Sequence, residues 1–459
     1  MSISSSNVTA GFIDIATKDE LEKYMYGGGS STAYFVRETK KATWFTIIPM
    51  SLSRATGVPA FGAEWSAQVS RAGDYMLYTW LRLRMPQVTL LQSNQFGANG
   101  MLRWTRNFMH NLIYECSITF NDLVAARFDS YHLDFWAAFT TPASKQVGYD
   151  NMVGNVPALT NPQLVLPERD LNLPLPFFYA RDSGLALPTA ALPYNEMRIN
   201  FVFRDWNQLL VLDNVAAPGG AQSVVPVVGA GADIAVAPQL THVQVWANYA
   251  IVSNEERRRM GCSVRDILIE QVQTAPRQTF NPITNPQPTY DIRFSHNVKA
   301  LFFAVRNITY RNVWSNYTTA SPVPNHNTVV LEPISSVDPI HHVTLIYENT
   351  NRLNMMGADY FSLVNPWYHA PTIPGFTGYH EYSYALSFFD VDPTGGTNYG
   401  KLTNVSIQPT ASPGAIVGAN GTGPVGGGAD FKQSYEFIIT ALNNNIIRIS
   451  GGALGFPVL

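Results

Sequence analysis

Hydrophobic and polar residues alternate with a period of two along much of the chain. Tyr75, Leu77, Thr79, Leu81 and Leu83 interleave with Met76, Tyr78, Trp80, Arg82 and Arg84, and Pro86 ends the run. Leu112, Tyr114, Cys116, Ile118 and Phe120 interleave with Ile113, Glu115, Ser117 and Thr119. Tyr194, Glu196, Arg198 and Asn200 interleave with Asn195, Met197, Ile199 and Phe201. A spacing of two sends alternate side chains to opposite faces, so each run predicts a half-buried strand. Ahead of the third run, Pro174, Pro176, Pro188 and Pro193 punctuate apolar pairs. Proline fixes φ and lacks a donor, which excludes helix and central sheet there. The segment predicts a rigid apolar loop feeding a strand.

Further strands are predicted at Val243–Val252, 264–273, 290–294, 298–306, 328–332, 342–348, 381–389, 434–440 and 446–459. Helical patterns are brief. One covers 12–26, with Asp19, Glu20 and Glu22 suiting its macrodipole and Gly27–Gly29 closing it. A second covers 130–139 and stops before Pro142. A third follows Asn254 as N-cap, with Gly261 as its stop. Asn99-Gly100 marks a turn, and loops are expected at 214–240, 310–327, 365–379 and 414–428. Parallel α/β sheets need longer helical patterns between strands, so antiparallel sandwiches or barrels are expected. The partition is an N-terminal arm at 1–29, a first all-β domain at 30–253, a helical linker at 254–264 and a second all-β domain at 265–459.

Composition adds a hint about surfaces. Only 14% of the residues are charged while 12% are aromatic, a balance that suits large interfaces between chains or, alternatively, a large monomeric β-protein whose aromatics are all core. The net charge is −3, and the longest basic run is Arg257-Arg258-Arg259, so no direct nucleic-acid contact is expected. Cys116 and Cys262 form neither a disulfide framework nor a zinc pattern, and Cys116 reads as a small apolar strand residue. The N-terminus does not read as a signal peptide, and no apolar run is long enough to span a membrane. Sequons occur at Asn7, Asn307, Asn316, Asn404 and Asn420, and without a secretory signal they read as idle.

Candidate chemistry is sparse. Gly421, Gly423 and Gly426 match G-x-G-x-x-G, but Pro424 and the following glycines preclude the helix that would meet phosphate. Neighbouring His341 and His342 should face opposite sides of a strand, which is poor geometry for one metal. Glu196, Glu270 and Glu381 lie in strand patterns, nothing pairs two of them for glycosidase work, and outward positions are their default. The Arg257–Arg259 triplet could bind phosphate or pair with a neighbouring subunit, and a solvated helix face is the preferred reading. No catalytic, cofactor-binding or metal-binding residue is assigned. One alternative function is a β-sandwich module that grips glycans through exposed aromatics in 365–379.

Eight runs in order carry a resemblance over nearly the whole chain: 25–38, 70–81, 104–122, 176–196, 254–261, 269–277, 393–404 and 442–459. They resemble the major capsid proteins of the nucleocytoplasmic large DNA viruses, most closely those of the invertebrate iridescent viruses. The resemblance implies two consecutive eight-stranded antiparallel jelly rolls (a double jelly roll) with short inserted helices and an N-terminal arm. It implies a non-enzymatic shell protein without cofactor, assembled as homotrimeric pseudo-hexagonal capsomers that tile an icosahedral virion. The implied partners are further copies of the chain, minor capsid proteins and an internal viral membrane reached by the arm, with assembly in the host cytoplasm. It also places Pro174–Pro193 in a loop near a subunit boundary.

Overall fold

A computed structural model describes residues 4–216, 224–319, 337–421 and 432–457. The chain divides into two units, Met1–Trp44 and Phe45–Leu459. The smaller unit holds two helices where one was expected, Ser4–Ala16 and Glu20–Met25. The break falls at Asp19, whose carboxylate caps the second helix while its own N–H donates to Glu22 Oε2 at 3.2 Å. This reciprocal pairing starts a new helix, so the first cannot run on.

The larger unit is almost wholly antiparallel. In the first sandwich one sheet runs in the order Phe45–Ser51, Thr241–Val252, Tyr75–Met85, Arg169–Pro174. The facing sheet runs Ser53–Thr56, Glu64–Gln68, Met197–Phe203, Ile113–Phe120, Leu123–Asp129. In the second sandwich Arg265–Thr274, Tyr435–Ser450, Asn297–Asn307 and His380–Ser383 form the backbone of one sheet. Tyr290–Asp291, Val405–Ala411, Ile340–Tyr347 and Thr350–Gly357 form the other. Each is a pair of apolar-faced antiparallel sheets that bury those faces against one another, the jelly-roll architecture.

Strands with one face toward solvent follow the alternation, except at bulges. Met197–Phe203 buries every second residue from end to end. Tyr75–Met85 buries Met76, then Thr79, Leu81, Leu83 and Met85, because residues 77 and 78 together oppose Asn248. A two-against-one bulge of this kind turns the strand's face by one residue. Leu112 and Tyr114 do not share a face: Leu112 ends the helix Phe108–Leu112, and Tyr114 is extruded where Phe203 and Val202 pair Ile113 and Glu115. Pro174 closes an edge strand, as a residue without a donor must.

Several expected boundaries are corrected. The strand expected at 381–389 ends at Ser383, and the one expected at 446–459 is divided: 446–450 continue Tyr435–Ser450, and Ala453–Gly455 turns back to pair with them. The supposed loop at 365–379 opens with the helix Asn365–His369, following a π-helical turn at Tyr360–Val364. Pro413–Asn420 is helical, with Ser412 capping its start and Gly421 ending it at φ 75°; the rest of the glycine-rich run lies outside the described residues. In the helix Asn254–Cys262 the cap position is Ser253 rather than Asn254, and Gly261 lies inside the last turn rather than stopping it. The strand expected at 328–332 falls outside the described residues. The loop at 214–240 contains a short strand, Val224–Pro226.

Candidate functional site at the junction of the two sandwiches

The strand Asn297–Asn307 is buried on both faces. Leu301, Phe303 and Val305 belong to the second sandwich's own core. Ala300, Phe302 and Ala304 belong instead to the core of the first sandwich, which continues through Ile438, Leu442 and Phe388. One sheet is thus shared, and the two sandwiches form one body. A sheet covered on both sides needs an unbroken apolar run, which Ala300–Val305 provides.

Helix Ser130–Thr140 fills the seam from the first sandwich. Phe135 and Phe139 stack on Phe302 with centroids 6.0 and 5.6 Å away. Its start is capped by Asp129, which accepts from the His132 N–H at 2.9 Å. In its middle, Asp134 is 2% exposed and accepts four hydrogen bonds. Two come from the first sandwich, Asn107 Nδ2 at 3.2 Å and His110 Nδ1 at 2.8 Å. Two come from the second half, Ser315 Oγ at 2.8 Å and Tyr317 hydroxyl at 2.7 Å. Burial pushes this carboxyl up, but the bonds and charge of His110 with the two hydroxyls outweigh it and hold it below the ordinary value. Asp134 therefore works as an ionised staple across the seam.

A second staple is built on a bulge. Val298 pairs Asn443 and Ala300 pairs Leu442, leaving Lys299 as the extra residue. Its ammonium, fully buried, donates to Glu270 Oε1 at 2.6 Å and to the Asp390 carbonyl at 2.6 Å. Arg181 reaches the other oxygen of Glu270 and the Phe389 carbonyl, and lies 4.6 Å from the ring centre of Trp136. Arg181 is carried by the proline-braced loop. The loop's apolar residues, Leu175, Phe177, Phe178 and Leu187 among them, are buried in the same core. The structure therefore sets this loop against the second sandwich of its own chain.

A third contact stacks Trp314 between two guanidiniums, Arg204 at 3.9 Å and Arg306 at 3.7 Å. Arg306 also donates to Tyr131 and to Glu436 Oε1 at 3.1 and 3.2 Å. Burial brings Arg204 down to about 10. Two cavities flank the seam helix. One, of about 400 Å³, contains Arg106, Asp134, Tyr149 and Phe376; the other, of about 700 Å³, is lined by Trp80, Trp136, Met152 and Phe389.

The residues considered from sequence lie in separate surroundings. Glu196 is exposed and pairs with Arg198 at 2.7 Å. Glu270 is not outward but buried between two cations. Glu381 is also inward, fully buried, with neither oxygen hydrogen-bonded, and burial raises its pKa to about 8. His341 and His342 do not diverge: a register shift between Ile340 and His342 brings their Nδ1 atoms to 2.9 Å. Arg257 pairs with Asp74 at 2.8 Å and Arg259 with Glu255, so only part of the triplet is a free solvated face. Asn307 is buried and hydrogen-bonded, which bars glycosylation of the folded chain there. Cys116 is buried and Cys262 exposed. Among the described residues no group of three His, Cys, Asp or Glu side chains could hold a metal ion. Asp134, Arg181 and Lys299 escaped sequence reasoning. Only Lys299 carried a signal, a lone charge ahead of an apolar run.

Comparison with known proteins gives a consistent result. The family model described as the large eukaryotic DNA virus major capsid protein matches residues 256–455, and that for the major capsid protein N-terminus matches 33–252. The major capsid protein of Invertebrate iridescent virus 6 is 76% identical over 468 residues, with all of both chains covered. That of Lymphocystis disease virus 1 is 50% identical over 462 residues, again covering both chains entirely. Among solved structures, the quasi-atomic PBCV-1 virus capsid is similar in fold with a TM-score of 0.73 at 21% identity, over 93% of this chain and 100% of that one. The glycan-binding reading has no support in these comparisons.

Proposed function

The chain belongs to the major capsid protein family of the large eukaryotic DNA viruses, and we propose that it acts as a homotrimer whose six sandwiches form a pseudo-hexagonal capsomer. The observation that carries this reading is the shared sheet. Two sandwiches locked into one body let three chains present six similar units around a three-fold axis, and such units tile an icosahedral lattice. The functional partition is the arm 1–29, a first roll 30–253, a linker 254–264 and a second roll 265–459. Light scattering on purified protein tests the trimer: the expected mass is about three times the 50.8 kDa chain. A stable monomer at micromolar concentration refutes it.

The same reading makes the chain a structural component rather than an enzyme. Its buried charges are engaged in bracing, as the Asp134 and Glu270 clusters are. Minor capsid proteins join capsomers, and assembly takes place in the host cytoplasm. The near-neutral charge of −3 speaks for a shell separated from the genome, without direct nucleic-acid contact. The arm displays Phe12, Ile13 and Ile15, and these contact an internal viral membrane. Flotation with anionic liposomes tests that contact: the full chain is expected to float, and one lacking 1–29 to stay in the pellet.

A further inference from the structure

The outer strands of the two sandwiches meet at an open, cationic groove. Leu123–Asp129 ends the five-stranded sheet of the first sandwich, and Arg265–Thr274 ends a sheet of the second. Gln271 Nε2 donates to the Ala125 carbonyl at 2.8 Å and ties the two edges together. Beside this tie lies a cleft of about 380 Å³, lined by Arg127, Gln271, Gln273, Arg293, Ser295 and His296 among others. The lining contains no Asp or Glu. Arg127 and Arg293 are exposed, and neither has an ion-pair partner among the described residues. The carboxylates nearest them in sequence are used elsewhere: Asp129 caps the seam helix, and Asp291 accepts from Ser406 Oγ at 2.9 Å. The wall is built rather than loose. Gln273 exchanges two hydrogen bonds with the Ser295 backbone, both at 2.9 Å, and His296 is held at φ 62°.

We propose that this groove is a docking site for an extended, acidic polypeptide segment of a partner protein. Apart from the Ala125 carbonyl, which Gln271 occupies, the outer edges of these two terminal strands have no strand partner among the described residues, and an extended chain satisfies their main-chain groups by strand addition. Arg127 and Arg293 supply the charge complement for carboxylates, with bidentate geometry available to each. Two arginines and one histidine are too few for a nucleic-acid track, which gathers many phosphate contacts. This goes beyond the capsomer reading, since it concerns what the assembled chain holds rather than how copies of it associate.

The test is fluorescence anisotropy on the full-length purified protein, with a labelled peptide alternating glutamate and valine. Its lysine–valine counterpart and a short duplex DNA serve as competitors. Binding of the acidic peptide is expected, with affinity falling about tenfold or more in R127Q/R293Q and on raising salt from about 50 to about 500 mM. Both arginines are exposed and unpaired, so the variant should melt with the wild type, and that melt is the folding control. The proposal is overturned by no acidic-peptide binding at about 1 mM, by equal affinity for the lysine peptide, by an undiminished R127Q/R293Q, or by DNA displacing the peptide at lower concentration than the peptide itself.

Discussion

Replacing Glu270 by Gln tests the seam most directly. The carboxylate is 8% exposed and sits between the Arg181 guanidinium, 9% exposed, and the Lys299 ammonium, 0% exposed. Glutamine keeps the shape, but its amide can accept from only one of the two cations and presents N–H groups to the other. The ammonium stays buried with one full charge and no counter-charge. Breaking a buried pair from one side in this way costs about 3–5 kcal/mol. Unfolding entropy is ~2.1 cal/mol/K per residue, so if the body of roughly 400 residues melts as one unit the Tm falls by about 3–6 °C. If the second sandwich, of roughly 200 residues, melts first, the same loss lowers its own transition by about 7–12 °C. Scanning calorimetry separates the two cases. The decisive variant is E270Q/K299M, which removes the stranded charge as well. It should be more stable than E270Q alone, with a favourable coupling of at least ~1 kcal/mol. Additive losses in the double variant, or an unchanged Tm in E270Q, would refute the claim that this cluster braces the seam.

Three further outcomes follow from other buried groups. Glu381 holds its proton up to about pH 8 in the native chain but releases it near 4.5 when unfolded, so stability falls as pH rises through that window. E381Q should remove the decline, up to ~1.4 kcal/mol per pH unit, in urea titrations run at successive pH values; an unchanged slope counts against it. His132 has the opposite sign. Burial depresses it from 6.5 to about 3, so the unfolded chain binds the proton first and stability falls as pH drops below 6.5. H132F should flatten the acid limb of the same curve. Gly378 has φ 99°, and a Cβ there would lie 2.1 Å from the Tyr317 carbonyl oxygen. G378A should therefore lose about 2–5 kcal/mol in denaturant melts, combining left-handed strain with overpacking.

How much of this was legible depends on where a residue's partners lie. Alternation suffices where one face meets water, so Met197–Phe203 could be read from its own seven residues. Leu123–Asp129 was missed because a register shift beside Ala125 interrupts its alternation. Glu270 looked like an outward strand carboxylate because its cations are 29 and 89 positions away. Asp134 likewise takes two of its four donors from 181 and 183 positions further on. The order of motifs conveyed the family, and through it the double roll. The seam, made wholly of long-range pairs, was open only to coordinates.

The seam also changes what the composition means. Few charges and many aromatics suit either surfaces shared between chains or a large core within one. Much of that aromatic content is spent inside one chain, where Phe135, Phe302, Tyr317, Tyr379 and Phe388 pack across the seam. The shortage of charge has the same origin, because a second sandwich resting on the first removes from water a sheet face that would otherwise be polar. Large apolar side chains stay exposed at several places among the described residues; one local group is Trp367 and Tyr368, 71% and 72% exposed on the helix Asn365–His369, with Leu386 at 74%. A local group of bare apolar side chains is a candidate contact surface. The trimer proposed above is therefore expected to depend on these three residues more than on the proline-braced loop, whose apolar residues Leu175, Phe177, Phe178, Leu185 and Leu187 are already buried within the chain. W367A/Y368A should shift the light-scattering mass toward the monomer without lowering the Tm of the isolated chain, whereas substitutions in the loop should do the reverse.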